Sequence, residues 1–349
     1  MSAVTRADEP LNTAGQTWLN GSSVWEDLVV SHPHRLLLVS VALAVTALGL
    51  SACDTTPPIT TVSGHPGMHS ETITAGSSTY TVYWRDTAST TRGGVMLVHG
   101  GGWTGGDRTR FTDPAIQLAD AGYVAATIDY RLAITKTNPW PTQQQDALSA
   151  WRALRRNAAT YHLNTHYLAI AGESAGGHIA LATTEAMLPT ERPSAVVSWS
   201  GPTDLQVWMT NPQPTCIGNE CYYYNLTTSD IANDLIRCSY PACPTSYRAA
   251  SPALHVFGLM PPTLQTFFVR DIVPPAQGSR MNSALQAAGT SSTLRMYPDF
   301  GHGATWTPQV WHDSVTYLLP YMGPLAAAPI VTQQLNNTPV RRLPLSVTR

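Results

Sequence analysis

From Tyr80 onward, short apolar runs alternate with segments whose apolar residues recur at helical spacing. Tyr80-Thr81-Val82-Tyr83-Trp84 predicts an early strand. Val95-Met96-Leu97-Val98 is a short apolar run ending at His99-Gly100, the pattern of a buried strand entering a turn. Residues 111–121 predict a helix and 123–128 the next strand. Pro141 stands where a helix would start, a position proline tolerates, and Ala147, Trp151, Leu154 and Ala158 follow at helical spacing. Residues 168–171 predict a strand and 175–188 a helix. Further strands are expected at 195–199, 264–269 and 293–297, with 282–288 in a helix between the last two. This order predicts an α/β fold, a mostly parallel central sheet with helices on both faces. The rhythm breaks at 205–252, which holds four cysteines, Tyr222-Tyr223-Tyr224 and several prolines. An insertion of that length between core elements is expected to form a lid or binding loop.

The pattern before Tyr80 is of another kind. Residues 36–50 form an unbroken apolar and small-residue run, preceded by Arg35 and followed by Ser51-Ala52-Cys53. A basic flank, a short apolar core and small residues make a secretory signal, and the run falls short of a spanning helix. Leu50-Ser51-Ala52-Cys53 resembles the bacterial lipobox, which implies lipidation of Cys53; an ordinary signal peptide or a plain membrane anchor is the alternative. The polar residues ahead of the run exceed a usual basic flank, and the expected true start lies near Val29 or Val30. The expected organisation is therefore extension and signal at 1–53, flexible tether at 54–70, the α/β domain at 71–323 and mobile tail at 324–349. The product is expected outside the cytoplasm, held to the membrane only through its lipid or secreted.

Composition narrows the partners. Net charge is −2 and 12% of the 349 residues are charged, with no basic patch for nucleic acid. Beyond Cys53, Cys216, Cys221, Cys238 and Cys243 form two C-x₄-C pairs. Export and an even number favour two disulfides, with Cys216–Cys221 and Cys238–Cys243 the simplest pairing. Four thiolates could also hold zinc, a reading that the wide spacing and an exported compartment disfavour.

Gly172-Glu173-Ser174-Ala175-Gly176 matches G-x-S-x-G between a predicted strand and a predicted helix, the context of a nucleophile elbow with Ser174 at its apex. His99-Gly100-Gly101-Gly102-Trp103 follows an early strand, where a glycine run turns backbone N–H groups toward a site. With the N–H of Ala175, the turn of Gly100, Gly101 and Gly102 would form an oxyanion hole. The base comes last in chain order: His302 follows the predicted strand at 293–297, whereas His255 and His312 lack that setting and His178 lies within a helix. The acid belongs at the end of the strand before, where Asp271 stands after Thr266-Phe267-Phe268-Val269-Arg270. Asp204, Asp230 and Asp234 precede or lie in the insertion, and Asp299 is too near His302. Glu173 is expected to support the turn; Asp107, Asp129 and Arg131 to tie loops together. Trp103 suits an acyl-pocket wall or the core equally.

These stretches, with Asp129-Tyr130-Arg131-Leu132, Trp140-Pro141, Asp146 and Gly172–Ala182 as GESAGGHIALA, resemble the HGGG-bearing carboxylesterases of the α/β-hydrolase fold. The group includes hormone-sensitive-lipase-like esterases, and the branch near feruloyl and acetyl-xylan esterases is closer. The likeness extends from about Gly94 to about Met322. It departs at Phe267 and Phe268, where the family usually has His-Gly before the acid. The resemblance implies hydrolysis of short-chain or glycan-linked acyl esters by a Ser-His-Asp triad, without metal or organic cofactor. Formamide or amide hydrolysis on the same triad is the rival, since kynurenine formamidases carry a related turn. A catalytically inactive surface module is the alternative outside enzymes.

Overall fold

The computed structural model describes residues 59–86, 92–134, 137–210, 215–217, 220–222, 234–303 and 307–323. The expected signal with Cys53, the first part of the tether and the tail lie outside them.

The strands are β1 (Thr60–Thr61), β2 (Met68–Ala75), β3 (Ser78–Arg85), β4 (Arg92–Val98), β5 (Val124–Ile128), β6 (Leu163–Glu173), β7 (Val196–Trp199), β8 (Thr215–Ile217), β9 (Glu220–Tyr222), β10 (Thr263–Arg270) and β11 (Ser292–Phe300). The helices are α1 (Thr112–Asp120), α2 (Thr142–Arg156), α3 (Ala175–Ala186), α4 (Leu205–Thr210), α5 (Pro244–Ala249), α6 (Ala276–Ala287) and α7 (Pro308–Leu318). One nine-stranded sheet runs β1-β2-β3-β5-β4-β6-β7-β10-β11. It is antiparallel from β1 to β5 and parallel from β5 to β11. This is the mostly parallel α/β sheet that the alternating pattern predicts, in the α/β-hydrolase arrangement that the resemblance implies.

The central parallel strands β4, β5 and β7 are buried along their whole length because both faces of the sheet are covered. Met96 and Val98 of β4 join a core with Ala147, Trp151 and Leu154 of α2 and Ile179 and Leu181 of α3. Val95 and Leu97, pointing the other way, pack with Ala115 and Leu118 of α1 and Val310, Trp311 and Val315 of α7. The period-2 alternation of the strand thus meets two separate helical stripes.

Three regions differ from expectation. The tether gives way to sheet well before residue 70: Thr60 and Thr61 pair with Ser70 and His69. Val62 N–H donates to Met68 O at 3.0 Å to close the turn, and Met68 is fully buried. The polar composition there belongs to an exposed edge strand and the turn into β2, not to a linker. Helix α7 was not anticipated; Pro308 begins it and Val310, Trp311, Val315 and Leu318 bury one stripe. The insertion is in part built into the core. Trp208, Leu235, Tyr247 and Ala250 are buried there, and Trp140 N–H donates to Leu235 O at 2.8 Å.

Cys238 and Cys243 form a disulfide with Cα atoms 5.9 Å apart. That removes both thiolates from any zinc site. Cys216 and Cys221 are register partners in the β8–β9 hairpin; their side chains lie outside the described ones.

Candidate active site

Strand β6 ends at Glu173 and α3 begins at Ala175, so Ser174 makes the whole turn, at φ 56° and ψ −121°. A residue with a Cβ adopts that region only when its surroundings hold it there. Here Ser174 N–H donates to Trp199 O at 2.7 Å and Ser174 O accepts from His178 N–H at 3.1 Å. The first turn of α3 then crosses directly over β4: a Cβ on Gly176 would lie 2.1 Å from Val98 O. Glycine alone allows that crossing, and the serine side chain is thereby lifted off the sheet.

The glycine turn lies against this elbow. A Cβ on Gly100 would meet Glu173 O at 2.8 Å and Ser174 Cβ at 3.2 Å. Gly101 and Gly102 have φ of +114° and +58°. Thr104 and Gly105 N–H close the turn onto Gly101 O at 3.1 and 2.9 Å. Among the described residues no acceptor takes the N–H of Gly101 or Gly102. With Ala175 N–H at the positive end of α3, the turn has the donors an oxyanion would need. His99 braces it from behind: its ring stacks on Tyr130 at 4.2 Å, and Tyr130 O–H donates to His99 O at 3.1 Å. Burial pushes the His99 imidazole toward its neutral form.

Asp271 and His302, separated by 31 residues, meet at the ends of β10 and β11 through a 2.7 Å bond between Asp271 Oδ1 and His302 Nδ1. A carboxylate only accepts, so Nδ1 carries the proton and Nε2 keeps its lone pair. Asp271 is fixed by further donors: Val273 N–H to Oδ1 at 3.0 Å, and Phe268 N–H and Ser200 Oγ to Oδ2 at 3.2 and 2.6 Å. The His302 loop touches the elbow. Gly303, at φ +75°, is so close to Glu173 that a Cβ would lie 2.4 Å from its carboxyl carbon. Glu173 is buried and bound by Arg110 at 2.8 Å, so it supports the elbow and the histidine loop together.

Ser174 lines a narrow cleft of about 20 Å³ with Gly102, Trp103, Pro202, Trp208, Ile272 and Val273. Trp103 is 3% exposed, lines the cleft, and donates its indole N–H to His178 Nδ1 at 3.2 Å. The other loop residues act locally. Asp107 caps the turn at Thr109, Asp129 accepts from Arg108 N–H and Nη1 at 2.6 Å, and Arg131 grips Asp146 of α2 through Nε and Nη2 at 2.9 and 2.8 Å. Asp204 is buried and ion-paired with Arg280 at 2.7 Å, away from His302 in the bonding pattern.

The sequence reading missed Ser200, Trp208, Ile272 and Val273. The only local signal for Ser200 was a strand ending in Ser-Gly-Pro. Nothing nearby names its partner.

Comparison with known proteins gives consistent matches. Esterase LipQ of Mycobacterium tuberculosis is 28% identical over 226 residues, covering 60% of this chain and 50% of LipQ. Carboxylesterase NlhH of the same organism is 34% identical over 99 residues, 28% of this chain and 30% of NlhH. The chain thus spans half or less of the length of these relatives. Among solved structures, a truncated carbohydrate esterase from gut microbiota superposes with a TM-score of 0.60 at 21% identity, over 72% of this chain and 96% of that one. The thermophilic esterase Est2 of Thermogutta terrifontis gives 0.59 at 21% identity, over 75% and 95%. At that identity the likeness establishes the fold. A family model, BD-FAE, matches residues 81–285, more than half of the chain and including the glycine turn, the elbow and Asp271. The chain belongs to the BD-FAE family.

Proposed function

We propose that this protein is a serine carboxylesterase acting on short-chain acyl esters through Ser174, His302 and Asp271. The observation that carries the reading is the bond between His302 Nδ1 and buried Asp271, made in loops that adjoin the strained turn of Ser174. His302 Nε2 takes the Ser174 proton as Oγ attacks the ester carbonyl. Asp271 holds the imidazole tautomer and stabilises the cation that forms. The N–H groups of Gly101, Gly102 and Ala175 bind the oxyanion. Collapse of the tetrahedral intermediate expels the alcohol, which receives its proton from His302. Water, activated by the same nitrogen, attacks the acyl-enzyme and frees the acid and Ser174. None of these steps calls on a metal or an organic cofactor.

The small cleft between Trp103, Trp208 and Val273 supports short acyl groups, and the likeness to a carbohydrate esterase supports a glycan-linked alcohol. The apolar run at 36–50 and Cys53 support export with a lipid anchor, and the Cys238–Cys243 disulfide fits an oxidising compartment. Detergent-phase partitioning of wild type but not of Cys53→Ala is the expected result for the anchor; equal partitioning overturns it.

A p-nitrophenyl series from acetate to palmitate tests the activity. Turnover should fall with acyl length, and Ser174→Ala should lose roughly 10⁴-fold or more in kcat. Wild type and Ser174→Ala equally inactive on every ester would sink the proposal. Formamide turnover without ester turnover would move it to amide chemistry.

A further inference from the structure

Ser200 directly follows β7, one strand from the elbow, and it is fully buried. Its φ is +51°, in the left-handed region, although it bears a Cβ. Its N–H donates to Thr266 O at 2.8 Å, which pins the backbone there. A turn of this kind is most easily made by glycine. A serine in its place indicates that the hydroxyl has a use.

The partners of that hydroxyl are the two groups whose relative position matters most. Ser200 Oγ lies 2.6 Å from Asp271 Oδ2 and 2.9 Å from Gly303 N. A carboxylate cannot donate and a backbone N–H cannot accept, so the direction of both bonds is fixed. Ser200 donates to Asp271 and accepts from Gly303. One hydroxyl therefore links the outer oxygen of the acid to the backbone directly after His302. Asp271 has backbone donors of its own from Phe268 and Val273. Among the described residues of the His302 loop, Gly301 N–H donates to Arg270 O at 3.3 Å.

We infer that Ser200 is a positioning residue of the proposed reaction: its hydroxyl sets the separation and angle of the Asp271–His302 pair by tying the histidine loop to the acid. The inference rests on the esterase reading for its kinetic consequence and on geometry alone for its structural one. It goes beyond the triad because Ser200 touches neither substrate nor the reacting atoms. Its bonds serve the orientation of the imidazole, not the binding of the ester.

The test compares Ser200→Ala with Ser200→Gly in the full chain. Alanine removes the hydroxyl and keeps the strain; glycine removes both. If strain relief were what mattered, glycine would match or exceed wild type. The expected result is that both variants keep KM within about twofold while kcat falls about 10–100-fold, the range for losing a buried hydrogen bond to a charged group. A second readout needs no turnover. The His302 Nδ1 proton, shielded in its bond to Asp271, should give a downfield NMR resonance in wild type that broadens or vanishes by exchange in both variants. Folded variants that keep the resonance and wild-type kcat would overturn the inference. So would a glycine variant as active as wild type, or loss of folding in both, which would make the hydroxyl a structural bond of the fold. A wild type inactive on every ester would defeat the esterase reading, while the resonance would still report on Ser200.

Discussion

His178 and His302 belong to the two chain segments that meet at Ser174, one four residues into the elbow and helix, the other beside Glu173. His178 commits both ring nitrogens to structure. Nδ1 accepts from Trp103 Nε1 at 3.2 Å, so Nε2 carries the proton and donates to Ala250 O at 2.8 Å. Trp140 packs on its ring at 4.6 Å. Among the described residues no carboxylate stands beside it, and complete burial lowers its pKa to about 4 from the ordinary 6.5, against the pull of the Ala250 carbonyl. It is a neutral strut. His302 has a carboxylate on Nδ1 and is buried to a similar degree, 6% exposed. The difference between the two rings is therefore the partner. A carbonyl and an indole hold an imidazole in place; a carboxylate also stabilises its cation, which a general base requires.

Breaking the reactive side of this pair gives the largest effects. His302→Ala should lower kcat by roughly 10⁴-fold or more with the melting temperature little changed, measured by ester turnover beside thermal unfolding. Asp271→Asn keeps the shape but can hold the wrong tautomer, and kcat should fall about 10³–10⁴-fold. A loss below tenfold would show that Asp271 is not the orienting group.

The structural side should read out in stability. Between pH 6.5 and 4 the unfolded chain binds the His178 proton and the folded one does not, so stability falls as pH falls through that window. Full expression of the shift is worth about 3 kcal/mol. His178→Asn keeps an acceptor for Trp103 and has no titrating ring. Its stability at pH 7 should be lower than that of wild type, and its slope across the window flatter; denaturant melts at several pH values compare them. An unchanged slope would assign the acid sensitivity elsewhere. Trp103→Phe should have the smallest effect, about 1–2 kcal/mol from the unpaired His178 nitrogen, with a modest rise in KM.

Much of this site was legible because its parts sit in local patterns: a glycine turn after one strand, a serine between strand and helix, a histidine after the last strand. Asp271 was readable from order alone, although Phe267 and Phe268 stand where His-Gly is usual. In the structure Phe267 enters one core and Phe268 the other, where it packs beside Gly301. Ser200 was not legible, because its partners lie 71 and 103 residues away and its role exists only once three strand ends converge. The contrast between His178 and His302 was visible only in part. Helical placement spoke against His178, but the indole and carbonyl that hold it, and the burial that keeps it neutral, come from distant segments. Strand β2, one in from the edge, escaped notice because half of it faces water and its polar residues read like the tether before it.

Trp208 has a consequence of a different kind. It belongs to α4, outside the strand-end framework, yet it forms one wall of the cleft at Ser174. The wall at Trp208 can thus be reshaped by substitution while the framework stays. On the proposed esterase reading, changes at that one position would alter which acyl group fits, while the elbow, the glycine turn and the Asp271–His302 pair keep their anchors on the sheet. For laboratory redesign, Trp208 is the position to diversify first.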